Sequence, residues 1–369
     1  MPKRFAWLDG VRGIAAIAVM LFHFEDYLHI RPLFRSSFLA VDLFFLMSGF
    51  VLAHSYGEKL GSGYMSFGRF MVVRLIRLWP MYLFATSVGC GYYSVKVLLG
   101  TTDAPAISTI VYYLGLNLIF LPVPVGVEPL SGMFPFAPSS WSLATEMLAS
   151  AAFGVVLFRL RRRHLAVVGV VATLSFLAVA ASYREFDLGW SLPTFSAGIL
   201  RTVSEFATGL ILYRVSRAAK LPPLCSPVPL LLVGVGVLVS LLILPPNVLG
   251  FPIFATFGLF PLFIMVAART KTTSLIDRIC DELGRISYPL YLLHTPILLW
   301  VAGVWKLVLH RDPTYSGLLA GVAMVIASLV VSYLSARFID EPVRAWLTTE
   351  LRKRRPVNSM ATATPERLV

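Results

Sequence analysis

The amino-acid sequence predicts an all-α integral membrane protein, a bundle of about ten transmembrane helices. Three observations lead there. The chain is 57% hydrophobic and only 14% charged, with a mean hydropathy of +0.77, whereas soluble domains carry about 25% charged residues. Apolar runs approaching the roughly 20 residues needed to cross hydrocarbon recur along nearly the whole length, leaving no polar stretch of ~100 residues for a soluble domain. The basic residues fall in short clusters between these runs, the pattern of topology signals.

The runs lie at about 12–29, 38–56, 75–98, 107–121, 141–158, 165–182, 194–213, 228–245, 250–268, 286–306 and 316–338. The first carries Asp9, Arg12 and His23 and lacks a small-residue cleavage site, so it is expected to stay as a helix. Lys3/Arg4 and the clusters at Arg159–Arg163, Arg214–Lys220, Arg269–Arg278 and Arg352–Arg355 should all face the cytoplasm. That requirement leaves one crossing between residues 99 and 159. The short run at 107–121, flanked by Pro105, Pro122 and Pro124, is therefore expected to be a re-entrant or surface segment. Ten spans remain, with both termini cytoplasmic and the chain multi-pass in the inner membrane. Residues 1–345 form one transmembrane domain, and 346–369 a basic, disordered cytoplasmic tail. No internal repeat marks an inverted-repeat transporter.

The formal charge of +13 does not indicate nucleic acid, because the basic residues form no single face. Cys90, Cys225 and Cys280 match no ligand or redox spacing, so neither a metal nor a disulfide is expected.

An ionisable side chain at bilayer depth costs about 2.5–3.5 kcal/mol on insertion scales, so each one needs a partner or a role. Arg12 and His23 are separated by roughly 16 Å of helix rise and lie within about 20° of a whole number of turns, so both look into the bundle. Arg12 near the cytoplasmic boundary suits an anion, or simply snorkels beside Asp9. His23, deeper, is a candidate base or a hydrogen-bonded interior histidine. Asp42 can orient a histidine, neutralise an arginine or serve helix packing. Arg74 and Arg77 share a face where the third span leaves the cytoplasm; the fork suits a phosphate, and equally a positive-inside anchor beside Trp79. At the external start of the fourth span, Trp141, Ser142 and Glu146 are candidates for binding a sugar hydroxyl, the alternative being a serine cap with a dipole-favoured glutamate. Arg201 and Glu205, at i and i+4, are read as neutralising each other. His294 lies about eight residues into the ninth span, behind Pro289.

The run Leu8-Asp-Gly-Val-Arg12-Gly-Ile-Ala-Ala16, with ten residues between the arginine and His23, resembles the signature of the acyltransferase-3 family of membrane O-acyltransferases. Five further blocks agree in order: Asp42 to Gly49, Arg74-x-x-Arg77, Trp141 to Glu146, Ser287-Tyr-Pro-Leu-Tyr to His294, and Asp340-Glu341-Pro342. The resemblance implies transfer of an acetyl or other short acyl group from acetyl-CoA or another acyl-CoA to a hydroxyl of a glycan, lipid-linked sugar or secondary metabolite. It implies Arg12 and His23 as the catalytic pair, Arg74 and Arg77 as coenzyme A contacts, and Asp42, Glu146 and His294 as further site residues. It also implies a stand-alone member without a fused esterase-like domain, so that any hand-over to a soluble acyl-handling partner would use a separate protein.

Acyl transfer from a thioester needs a base for the acceptor hydroxyl and a grip on the donor. His23 is expected as the base, with Asp42 fixing its tautomer, and Arg12, Arg74 and Arg77 as the grip. Direct attack and an acyl-enzyme route both fit. A transporter or flippase of a glycan precursor, or a non-catalytic scaffold, explains the Arg-x-x-Arg fork and the aligned arginine and histidine less well.

The parity argument predicts that a single cysteine at position 161 is shielded from a membrane-impermeant thiol reagent in intact cells, while one within 122–138 is labelled. Labelling of position 161 from outside would rule out the ten-span arrangement.

Overall fold

A computed structural model of the protein describes residues 5–30, 33–124, 130–219, 222–224, 226–242, 250–316 and 318–353. The described residues form helices α1 (Ala6–His23), α2 (Glu25–Leu28), α3 (Leu39–Gly61), α4 (Phe67–Leu98), α5 (Ile107–Leu118), α6 (Ser140–Ala152), α7 (Arg162–Tyr183), α8 (Phe195–Ala218), α9 (Val228–Leu242), α10 (Gly250–Phe254), α11 (Phe260–Ala267), α12 (Ser274–Leu309), α13 (Leu318–Ser335) and α14 (Glu341–Lys353). Single π-helical turns at Phe153–Leu157, Ala255–Leu259 and Ala336–Asp340 extend α6, join α10 to α11 and join α13 to α14. Nine continuous helices among the described residues are long and apolar enough to cross a membrane. The apolar α9 is the tenth run; the rest of the expected span at 228–245 lies outside the described residues.

α5 does not cross. Its twelve residues rise about 18 Å, short of a hydrocarbon layer of about 30 Å. The helices on either side of it settle the point. Gly154 packs on Phe67 and Phe70, Arg74 meets Glu146, and Gly89 packs on the backbone of Phe136. α4 and α6 are therefore antiparallel, and the chain between them leaves and returns at one end of the bundle. Trp79 Nε1 donates to the Leu118 carbonyl at 3.2 Å, which clips α5 to the side of α4, and the buried Asn117 donates to the Leu121 and Met133 carbonyls at 3.1 and 3.2 Å, which ties α5 to the segment leading into α6.

Two parallel pairs organise the rest. α3 and α8 run side by side from Asp42 and Arg201 at one end to Glu58 and Arg217 at the other. α1 and α12 do the same, and their contact is close because it is made through glycine. A Cβ on Gly10 would sit 2.6 Å from Cys280 Sγ, one on Gly13 2.5 Å from the Leu283 carbonyl oxygen, and one on Gly284 2.8 Å from Asp9 Cβ. Small residues let backbones approach in a bilayer, where van der Waals packing largely replaces the hydrophobic drive between helices.

Several boundaries differ from expectation: α4 begins at Phe67 and α12 at Ser274, ahead of the apolar runs at 75–98 and 286–306. α1 starts at Ala6 and stops at His23, because Phe24 leaves helical geometry and His29 turns left-handed. The polar Asp9-Gly-Val-Arg12 stretch thus belongs to the helix. Residues 346–353, expected in the disordered tail, continue helix α14, held by Arg344 to Asp340 at 2.9 Å and Lys353 to Glu350 at 2.7 Å. The rest of that tail lies outside the described residues.

Gly13→Leu should prevent α1 from seating on α12, so a fluorescent fusion should aggregate on size exclusion in detergent. Gly57→Leu, where no atom lies within 4 Å of an added Cβ, should elute as wild type. Identical elution of both variants would show that the α1/α12 contact is not needed for folding.

Candidate active site

The ends of α1, α3, α4, α12 and α14 enclose a cavity of about 1120 Å³, larger than the ~300–1,000 Å³ typical of small-ligand pockets. Six arginines line it: Arg12, Arg74, Arg77, Arg285, Arg344 and Arg352. Four are paired with carboxylates. Arg12 lies 3.9 Å from Asp9, Arg74 2.6 Å from Glu146, Arg285 2.8 Å from both Glu341 and Glu282, and Arg344 2.9 Å from Asp340. Arg77 lies within electrostatic reach of the Arg344, Arg12 and Arg74 guanidiniums and of the Asp340 carboxylate. Neither Arg77 nor Arg352 makes an ion pair among the described residues. Asp281 also faces the void, so the lining carries six arginines against five carboxylates, one positive charge in excess, and its size and charge suit a phosphate-bearing ligand.

Above the cavity, one face of α12 carries Tyr288, Tyr291 and His294, successive positions at a spacing of three. The Tyr288 hydroxyl donates to the Leu78 carbonyl at 2.5 Å, bracing α12 against α4. Tyr291 OH and Ser142 Oγ lie 2.7 Å apart. His294 is fully buried, its ring 4.8 Å centroid to centroid from that of His23. The two histidines meet because α1 and α12 keep register over their whole shared length. Nδ1 of each points at a backbone carbonyl, Val19 at 2.9 Å for His23 and Leu290 at 3.0 Å for His294. A carbonyl only accepts, so Nδ1 holds the proton and Nε2 is the basic nitrogen in each neutral ring. His294 Nε2 faces Ser139 Oγ at 3.5 Å. His23, at the exposed end of α1, is the one of the two that a partner molecule can reach.

Asp42 stands apart from this pair. Both of its oxygens bind Arg201, at 2.8 Å to Nε and 2.5 Å to Nη2, with both side chains fully buried. Arg201 also reaches Asp187 at 3.4 Å and the Leu188 carbonyl at 3.1 Å. The expectation that Asp42 fixes the His23 tautomer gives way: the Val19 carbonyl does so, and Asp42 neutralises an arginine. The expected partner of Arg201, Glu205, is 3.9 Å away; a bidentate pair with Asp42 from the neighbouring helix outcompetes the i, i+4 contact.

The Trp141-to-Glu146 block is divided between two regions. Trp141 packs edge-on against Phe45, centroids 6.4 Å apart, and over Gly189 and Gly198. Ser142 faces Tyr291, on the histidine side. Glu146, expected at the external end, instead lies in the arginine-lined cavity, where Ser48 donates to it at 2.9 Å and Arg74 at 2.6 Å. The structure brings Arg12, Arg74, Arg77 and Glu146 into one cavity and His23 and His294 into one contact, and leaves Asp42 outside both. Sequence reasoning missed Arg285, Arg344 and Arg352. Their shared signal was the length of the final helices, which carries these arginines past the membrane.

The chain belongs to the acyltransferase domain family, whose match spans residues 5–337. It is 34% identical over 189 residues to a Rhizobium radiobacter protein described as "Protein 2 in picA locus", covering 49% of this chain and 97% of that one. No solved structure matches. The chain is thus a multi-pass membrane acyltransferase, and the reaction uses an acyl donor and an acceptor.

Arg201→Met would leave Asp42, Glu205 and Asp187 grouped without their cation. Removing one partner of a buried pair costs about 3–5 kcal/mol, so its melting temperature in detergent should fall far more than that of Asp42→Asn, which leaves Arg201 two other carboxylates. An unchanged melting temperature for Arg201→Met would show that the cluster does not hold the bundle together.

Proposed function

We propose that the protein is an O-acyltransferase that moves an acetyl or other short acyl group from acyl-CoA to a hydroxyl of a glycan, lipid-linked sugar or secondary metabolite. One observation carries the reading: an arginine-lined cavity and a histidine pair sit at successive heights along the same parallel helices, α1 and α12. A donor held by its phosphates at Arg12, Arg74 and Arg77 would send its pantetheine arm along this contact. The rise from Arg12 to His23 is about 16 Å, of the order of that arm's length.

In this mechanism His23 Nε2 takes the proton of the acceptor hydroxyl as its oxygen attacks the thioester carbonyl carbon. The tetrahedral intermediate collapses with loss of the coenzyme A thiolate, which receives the proton from His23. The carbon–oxygen bond formed replaces the carbon–sulfur bond broken, and no net proton is exchanged. Holding donor and acceptor on one axis supplies the positional part of catalysis. The cavity end is cytoplasmic in this reading, with both termini on that side of the inner membrane, which places the donor where acyl-CoA is made. Family membership favours this over the transport alternative.

His23→Ala should lower thiol release from acetyl-CoA in the presence of acceptor by about 10²–10⁴-fold. It should leave intact the thermal stabilisation that free coenzyme A confers on the purified protein. Arg12→Ala should weaken that stabilisation, and Arg12→Lys should restore it only in part, since an ammonium lacks the planar fork. Wild-type turnover in His23→Ala would exclude it as the base and make His294 the next residue to test. Comparative mass spectrometry of surface glycans and metabolites, with and without the gene, would identify the acceptor.

A further inference from the structure

α14 lies beyond the residues that match the family, yet it forms a wall of the arginine-lined cavity. Glu341, Arg344, Ala345, Thr348 and Arg352 line the void, positions three and four apart that keep one helix face on it. The helices Ser274–Leu309 and Leu318–Lys353 are each 36 residues long. That is about 54 Å of rise against a hydrocarbon layer of about 30 Å, so their ends project beyond the bilayer. The Arg285–Glu341 contact at 2.8 Å ties the two projecting ends together at the mouth.

The charges along this wall are unevenly matched. Arg285 and Arg344 are each held by carboxylates, as are Arg12 and Arg74. Arg77 and Arg352 are the two lining arginines with no ion pair among the described residues. They lie at different depths: Arg77 is grouped electrostatically with Arg344 and Asp340, and Arg352 is eight residues further along α14, about 12 Å nearer the open end. Its side chain is exposed at the rim. Two guanidiniums at two depths, neither in an ion pair among the described residues, suit a ligand with two separate phosphate groups. Coenzyme A is such a ligand, with a pyrophosphate and a 3′-phosphate on its ribose.

We infer that α14 is a donor-recognition helix in which Arg352 binds the 3′-phosphate of coenzyme A, leaving the pyrophosphate to Arg77. The inference rests on the acyl-CoA reading above and gives the enzyme a means of distinguishing coenzyme A from donors that lack this phosphate.

The test compares acetyl-CoA with acetyl-dephospho-CoA on the purified full-length protein in lipid nanodiscs, reading thiol release. Wild type should show a KM about tenfold lower for acetyl-CoA, the effect of one charge-assisted contact. Arg352→Gln should raise the KM for acetyl-CoA about tenfold with little change in kcat, and leave the KM for the dephospho donor where it was. Arg352→Lys should keep part of the preference. Equal effects on both donors, or a wild type indifferent to the 3′-phosphate, would overturn the assignment while leaving the acyl-CoA reading standing. Release of thiol from neither donor by a wild-type protein that still acylates from another donor would overturn both. An unchanged melting temperature for Arg352→Gln confirms that a rim substitution leaves the fold intact.

Discussion

A charge placed at bilayer depth must find its counter-charge within the protein, and the architecture follows from how this chain meets that demand. The guanidinium of Arg201 is fully buried and bound by both oxygens of Asp42 on a neighbouring helix. Neither residue could lie there alone, since an unpaired buried ion costs several kcal/mol. The pair fixes which helices are neighbours and at what height. With Asp42 locked to Arg201, α3 and α8 must run parallel, and the Glu58–Arg217 contact closes their other end. Gly49 and Gly209 make the approach possible: a Cβ on either would fall within 2.2 Å of the facing helix's backbone. Packing and electrostatics thus specify the same register.

The same logic acts with opposite results at the two ends of α1. Near its start, Asp9 and Arg12 are only loosely paired at 3.9 Å and open on the cavity. At its finish, His23 meets His294 without any carboxylate between them, each ring satisfied by its own helix's backbone. A neutral imidazole can be kept in an apolar bundle at little cost and still offer a basic nitrogen. The helix pair therefore sets its two ends apart, with charged side chains around the cavity at one end and two imidazoles in contact at the other.

Much of this was legible in the sequence because it rests on period and composition. Span positions, the non-crossing segment at 107–121 and the shared face of Arg74 and Arg77 all follow from run length, charge clustering and helical spacing. What was not legible concerns contacts between distant helices. Asp42 had three possible uses, and nothing short of the α3/α8 register selects Arg201 among them. Glu146 was placed correctly on its helix, but depth within the bundle depends on where α4 lies beside α6, and that put it opposite Arg74. Arg344 and Arg352 were missed for another reason: α14 has low hydropathy and follows the last span, so Arg344 fell at the edge of the expected domain and Arg352 in the expected tail. Its helicity comes from i, i+3 and i, i+4 pairs and from the tie between Glu341 and Arg285 on α12.

The carboxylates of the arginine-lined cavity then have a purpose beyond neutralisation. An array of unpaired guanidiniums around one void would repel one another and leave each side chain free to point at water. Glu146, Asp340 and Glu341 instead hold Arg74, Arg344 and Arg285 in fixed directions with contacts of 2.6 to 2.9 Å. If the cavity takes a phosphate as proposed, the ligand would meet arginines whose side-chain entropy is already spent, which lowers the ordering cost of binding. In the proposed donor site the attraction would come from the two lining arginines that make no ion pair among the described residues, Arg77 within and Arg352 at the rim. On the proposed reading, orientation and attraction are thus divided between different residues, which would hold a highly charged donor in one pose without an accumulation of like charge that would destabilise the empty protein.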